Sequence, residues 1–288
     1  MIKLFTDSDT DITPDIAKKY GYELISMPYI IDGKIIFPYK DYESFDSHSF
    51  YDKLRSGVIP STSAINTYEY VQYFEPVFSA GYDILYVRFT GKMSRTFQNM
   101  NEALAILKEK YPERKFYEID TLGITVMSYS IACEVGEMVS RGASIDEILS
   151  WADKEVKHFA TYFFADDLKF FRRSGRVSGL KALFGTLAGV KPIIFISDEG
   201  NMETIGKERG RIKAVKRLSK YVMELGDDLE NHNIYIAHSD NLELALDLKN
   251  LLLEQNPNLK IEIIVVNPTC GSHCGPDCVG VCFHAVHR

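Results

Sequence analysis

The sequence predicts an α/β protein of two domains. Residues 1–158 read as an N-terminal domain with a mainly parallel sheet and helices on both faces. Residues 159–288 read as an α+β domain with a mixed or antiparallel sheet. Three observations lead there. The chain has 288 residues, and a domain commonly takes about 100–200. Its first half alternates short apolar runs, polar loops and helical stretches, the pattern of strands joined by crossover helices. Its second half instead sets two strand-like runs around a turn at Asp198-Glu199-Gly200-Asn201. The break is placed just after the helix that opens at Ser144.

The elements follow in order. Ile2 to Phe5 is a buried strand stopped by Thr6-Asp7-Ser8-Asp9, since a short apolar run ending in polar residues fits a sheet interior. Thr13-Pro14 opens a helix, with Pro at its first turn. Glu23 to Ile31, then Asp32-Gly33, then Ile35-Ile36-Phe37 give a hairpin signal. A short helix spans Ser47 to Arg55, stopped by Gly57. The loop Pro60 to Ala64 leads to a helix over Thr67 to Ser79, whose aromatics at 70, 74 and 78 form a core stripe. Tyr82 to Phe89 is a strand, Ser94 to Lys110 a helix, Phe116 to Ile119 a strand and Ile124 to Arg141 a helix. Ser144 and Glu147 make a capping box for a helix reaching His158.

In the second half Tyr162 to Ala165, Val190 to Ile196, Met202 to Ile205, Asn233 to Ala237, Ile261 to Val266 and Val279 to Phe283 read as strands. Leu168 to Phe171, Ile212 to Leu225 and Leu242 to Gln255 read as helices. In an open sheet, ligands bind outside the carboxyl ends of the strands. The loops at Asp7-Ser8, Thr62-Ser63, Thr90 to Ser94 and Asp120-Thr121 are the candidates for such a crevice.

Composition narrows the function. Hydrophobic residues are 45% and charged residues 25% of the chain, an ordinary globular balance. Lys plus Arg is 33 against 40 Asp plus Glu, a net charge of −7, which disfavours a nucleic-acid binder. No apolar run approaches the roughly 20 residues of a membrane span, and the start meets Asp7 too soon for a secretory signal. Five cysteines leave one unpaired in any disulfide scheme, as expected of a reduced compartment. A cytoplasmic location is the expectation.

Several residues can carry chemistry. Thr62 and Ser63, in a loop between two helices, can hold a carboxylate or phosphate, or can simply cap the helix that follows. Ser94, at a strand-to-helix junction, offers the same two uses. The sequence around it, Lys92-Met93-Ser94-Arg95-Thr96, lacks the G-x-S-x-G of a nucleophile elbow. Arg172, Arg173 and Arg176 form one basic group, and Lys207, Arg209, Arg211 and Lys213 another. Both suit an anionic ligand or an acidic partner, and both suit a solvated face. In the tail, Cys270, Cys274, Cys278 and Cys282 are spaced by four. Gly271, Gly275, Pro276 and Gly280 oppose a helix there, and zinc knuckles more often use C-x-x-C pairs. Packing of small thiols beside glycines competes with a metal or redox site. His273, in the same segment, can bind a ligand or a metal, or be structural.

Taken in order, these motifs resemble the DegV family, a bacterial fatty-acid-binding group, over essentially the whole chain. The resemblance rests on Thr6-Asp7-Ser8-Asp9-Thr10-Asp11 after the first strand, Tyr29 to Lys34, the pair Thr62-Ser63, and Ser94-Arg95-Thr96-Phe97-Gln98. It continues with Leu168 to Arg176, Val190-Lys191-Pro192-Ile193, Lys207-Glu208-Arg209-Gly210 and His273-Cys274-Gly275-Pro276. It implies two α/β domains with a long-chain fatty acid between them, its acyl chain in an apolar tunnel. Thr62 and Ser94 are the implied carboxylate contacts, with Ser63 beside them and His273 as a further polar contact. Arg95, Arg173, Arg176 and Arg209 are the implied head-group or partner contacts. The family implies a carrier rather than an enzyme, without cofactor, metal or catalytic residues of its own. A separate fatty acid kinase would make the acyl phosphate for phospholipid synthesis, and contact with a membrane surface would be transient. The chain carries no Walker A motif. It departs from the family at Arg95 and Ser174, which stand where glycines are usual, and at Cys274 and Asp277. Two readings compete: an acyl hydrolase with Ser94 as nucleophile and His273 as base, and a metal or redox module on the tail cysteines.

Overall fold

A computed structural model of the chain describes residues 1–178 and 189–288. In chain order the first elements are β1 (Ile2–Asp7), α1 (Pro14–Tyr20), β2 (Tyr22–Ile25), β3 (Tyr29–Ile31), β4 (Lys34–Ile36), α2 (Ser47–Arg55), β5 (Ser61–Thr62) and α3 (Thr67–Ser79). Then come β6 (Asp83–Arg88), α4 (Thr96–Lys110), β7 (Phe116–Asp120), α5 (Val126–Ser140) and α6 (Ile145–Glu155). The remainder is β8 (Phe159–Phe164), α7 (Leu168–Ser174), β9 (Val177–Ser178), β10 (Val190–Ile196), β11 (Met202–Arg209) and α8 (Arg211–Leu225). After these lie β12 (Ile234–His238), α9 (Leu242–Gln255), β13 (Ile261–Val265), α10 (Pro268–Cys274) and β14 (Val279–His284).

The strands form three sheets. A four-stranded sheet runs β2-β1-β6-β7, and every pair in it is parallel. Successive residues of β1 face opposite sides. Leu4 packs with Ile131 and Val135 of α5, whereas Phe5 packs with Phe74 of α3 and Met100 of α4. Both faces are therefore covered, as a parallel sheet requires. A seven-stranded sheet runs β13-β12-β14-β8-β10-β11-β9. It is mixed: β12 and β13 are parallel, while β14 pairs antiparallel with both β12 and β8. Its far face is closed by α8 and α9 through Val215, Leu218, Leu244 and Leu248. The small antiparallel sheet β4-β3-β5 and α2 share a separate core of Tyr29, Ile31, Phe50, Tyr51 and Leu54. Helix α5 lies between the two large sheets, touching β6 on one side and β8, β12 and β14 on the other.

Three expectations need correction. Thr62 is not in a free loop between helices, because Ser61 and Thr62 pair with Ile30 and Tyr29 as a short third strand on the hairpin. Helix α4 starts at Thr96 with Arg95 as its cap residue, so Ser94 lies in the approach to the helix. The tail contains a helix after all. In α10, Asn267 caps the N-terminus by accepting from the Cys270 N–H, and Pro268 occupies the first turn. The glycines that argued against this helix have packing reasons. A Cβ on Gly271 would collide with the Tyr51 ring and one on Gly275 with the Phe170 ring. Gly275 also has φ of 75°, the left-handed region that glycine enters at little cost.

Candidate functional site

In the four-stranded sheet the chain leaves β1 for β2 on one side, and β6 lies on the other. Strand order thus reverses between β1 and β6, the place where open α/β sheets hold ligands. The loops beyond the carboxyl ends of these strands carry Ser8 to Asp11 and Phe89 to Arg95. A cavity of about 650 Å³ opens at this point. That volume falls within the roughly 300–1,000 Å³ of small-molecule sites.

The cavity walls come from every part of the fold. Asp9, Thr62, Ser63, Ser94, Arg95, Arg176 and His273 supply polar groups, and Met27, Phe89, Met93, Phe163, Phe171, Ile196, Met202 and Val266 supply apolar ones. Thr62 Oγ1 lies 2.9 Å from His273 Nε2, so β5 and α10 meet across the wall. Burial, and then the Arg176 charge, hold the His273 imidazole down at about 3. The ring is neutral near pH 7. If its Nε2 carries the proton, it donates to Thr62 and leaves the Thr62 O–H free to donate into the cavity.

Ser94 Oγ accepts from the Thr96 N–H at 3.2 Å, an arrangement that keeps the serine hydrogen available to a ligand. Arg176 follows α7 and ties the two halves together. Its Nη1 donates to the Ser174 carbonyl at 2.7 Å and its Nε to the Met93 carbonyl at 3.4 Å, next to Ser94. Arg95 is exposed at the rim. Arg173 is exposed and donates to the Ile59 carbonyl at 2.8 Å; it does not line the cavity. Arg209 stands exposed at the end of β11 and does not line it either. The structure thus brings together six of the eight singled-out residues.

The two competing chemistries fare less well. A nucleophile needs its base within hydrogen-bond reach. Here His273 Nε2 meets Thr62 and Ser94 meets a backbone N–H. Of the tail thiols, Cys270, Cys274 and Cys278 line the cavity, and all five cysteines are free. Burial pushes the Cys270 thiol well up and Cys282 to about 11. For Cys274 the hydrogen bond with Cys278 does so first, then burial. Thiols held protonated are weak nucleophiles. Among the described residues, the side chains close enough to share a metal ion are His48, Asp52 and Asp240, with none of the tail cysteines among them.

Asp9 is the acidic wall residue that sequence reasoning passed over, alongside the hydroxyls of Thr125, Thr161 and Thr269. Its signal was present in the acid-rich loop Asp7-Ser8-Asp9-Thr10-Asp11 directly after β1. The apolar lining had no such signal, because Phe163 or Met202 reads as ordinary core.

Comparison with known proteins places this geometry. A family model described as an uncharacterised protein of the DegV family, COG1307, matches residues 1–286. A DegV domain-containing protein of Clostridium perfringens is 31% identical over 280 residues, covering 97% of this chain and 96% of its own. One from Caldanaerobacter subterraneus is 27% identical, covering 98% of each. Among solved structures, a fatty-acid-binding DegV family protein from Thermus thermophilus superposes with a TM-score of 0.86 at 22% identity, covering 99% of both chains. Another from Streptococcus agalactiae gives 0.84 at 23%, with the same coverage. At that identity the two structures establish the fold. The family match along nearly the whole length, and a relative above the 30% mark, establish more: this chain belongs to the DegV family.

Proposed function

We propose that the protein is a carrier that binds a long-chain fatty acid in the cavity beside β1 and β6. The observation that carries this reading is one cavity with a polar end and an apolar remainder. Thr62, Ser63, Ser94 and His273 are assigned to the carboxylate end, with Arg95 and Arg176 supplying positive charge. A buried carboxylate needs several hydrogen bonds to offset its lost hydration. Each methylene buried among Phe163, Phe171, Ile196 and Met202 adds about 0.8 kcal/mol. The described solved relatives from Thermus thermophilus and Streptococcus agalactiae bind fatty acids, which supports the same ligand class here.

The halves that hold the ligand divide between His158 and Phe159 in this reading. The strands of the four- and three-stranded sheets precede that point and those of the seven-stranded sheet follow it. The protein performs no chemistry of its own on this reading. A separate kinase phosphorylates the carboxylate of the bound acid, with Arg173 and Arg209 on the outer surface to meet that partner. Loading and unloading involve passing contact with a membrane surface in the cytoplasm. Among the described residues, no helix is long and apolar enough to cross a membrane.

Native mass spectrometry followed by solvent extraction tests the carrier reading. The expected result is about one fatty acid per chain, the occupancy of the 650 Å³ cavity by one acyl chain. A protein that arrives empty and takes up neither added palmitate nor oleate would overturn it.

A further inference from the structure

Asp9 is 7% exposed, lines the cavity, and has a fully buried Oδ1 without a hydrogen-bond partner. A carboxylate in that position would hold a buried, charged oxygen that no donor reaches, which is strongly unfavourable. Its surroundings sharpen the point. Within its own loop Asp9 is flanked by the buried carboxyls of Asp7 and Asp11. From α10 the Cys270 thiol approaches it, and from the segment after α7 the Arg176 guanidinium faces it as the opposing charge. Cys270 and His273 are three residues apart on α10, and such residues share one helix face. Asp9 and the Thr62–His273 pair therefore sit against neighbouring turns of one helix wall.

Resting on the fatty-acid reading, we infer that Asp9 is a further head-group residue, whose carboxyl group shares its proton with the carboxylate of the bound acid. One Asp9 O–H forms a hydrogen bond to a ligand oxygen, and no net transfer is required. Burial first, then the neighbouring Asp7 and Asp11 carboxyls, push Asp9 well above the usual carboxylate range, while Arg176 and Cys270 pull the other way. The acid form is thereby the resident form at neutral pH, as a proton-sharing donor must be. An acid and a carboxylate bound together carry one negative charge, which the Arg176 guanidinium facing Asp9 balances. His273 titrates far below this range, whereas Asp7 and Asp11, raised to about 7, share it, so the comparison of Asp9→Asn with wild type makes the assignment.

Oleate titrations of the intact protein test this at about pH 7 and about pH 9. Asp9→Ala should weaken binding about tenfold at pH 7, the loss of one charge-assisted hydrogen bond. Asp9→Asn, which keeps an N–H donor and cannot ionise, should stay within about threefold of wild type at pH 7. It should match wild type at pH 9 or exceed it, and exceed it wherever wild-type Asp9 has ionised, since wild-type affinity there falls about tenfold per pH unit. Equal loss in both variants, or loss in neither, overturns the role of Asp9 while wild-type binding keeps the carrier reading intact. If wild type binds no oleate at either pH, both fall. Should the variants fail to fold, calorimetry of wild type in two buffers of different ionisation heat, repeated upward from about pH 7, decides. Proton uptake that sets in where affinity begins to fall supports the assignment; a fall in affinity with no proton change, or with release, overturns it.

Discussion

Thr62 and His273 show how little a side chain says until its partner is known. Either could be a helix cap or a packed polar residue. The 2.9 Å contact between them makes them one hydrogen-bonded unit on the cavity wall. Thr62→Ala and Ser94→Ala should each weaken palmitate binding by about tenfold or more, since a hydrogen bond to a charged group contributes about 1.5–3 kcal/mol. Equilibrium titration checks this, and wild-type affinity in both variants would remove the two residues from the site. A second residue-scale prediction concerns stability. Burial, against the pull of their hydrogen bonds, raises Asp7 and Asp11 to about 7. Between the ordinary carboxylate range and pH 7 the native state thus holds more protons than the unfolded state, and stability falls as pH rises through that window. Urea unfolding at about pH 5 and about pH 8 should give the higher midpoint at the lower pH. The reverse order would mean that both groups are ionised in the folded protein.

Among elements, those with a strong periodic face or an explicit cap were legible in the sequence. Helices α2, α3 and α9 fall on the expected residues, and the capping box of α6 forms as Ser144 and Glu147 required. Helix α10 was hidden because its glycines look like helix breakers. They are instead the places where Tyr51 and Phe170 come close, a tertiary fact that local propensity does not contain. The short strand β5 was hidden because two residues carry no period. The two caps should also differ in cost. Ser144→Ala removes an exposed cap and should cost about 1 kcal/mol. Asn267→Ala loses the cap of α10 and also the 2.7 Å bond to the buried Asp11 carboxyl, so it should cost about 2–3 kcal/mol. Chemical denaturation of the two variants compares them directly, and equal losses would mean that the Asp11 link adds nothing.

At the scale of the whole molecule, the sequence made the α/β class, the mixed second sheet and six of the polar residues on the cavity wall readable. It could not distinguish cavity-lining residues from core, because the same apolar periodicity serves both. If the cavity buries the acyl chain, affinity should rise with its length. Two added methylenes contribute about 1.6 kcal/mol, slightly more than tenfold. A series of saturated fatty acids measured by displacement should show this rise until the cavity is full, then a plateau. A flat series would place the acyl chain outside the protein. Helix α2 is tied to the second half of the chain through Arg55, whose guanidinium reaches Asp240 at 2.6 Å and Asp277 at 3.0 Å. Arg55→Ala should speed ligand release by about two- to fivefold, the scale of a half-exposed ion pair, as read by stopped-flow displacement.

The bond between Thr62 and His273 joins residues 211 positions apart. A ribosome adding about 5–20 residues per second takes roughly 10–40 s to cover that distance. Until α10 is made, the nascent chain lacks one wall of its cavity. On the carrier reading, lipid is therefore captured only after synthesis has passed His273.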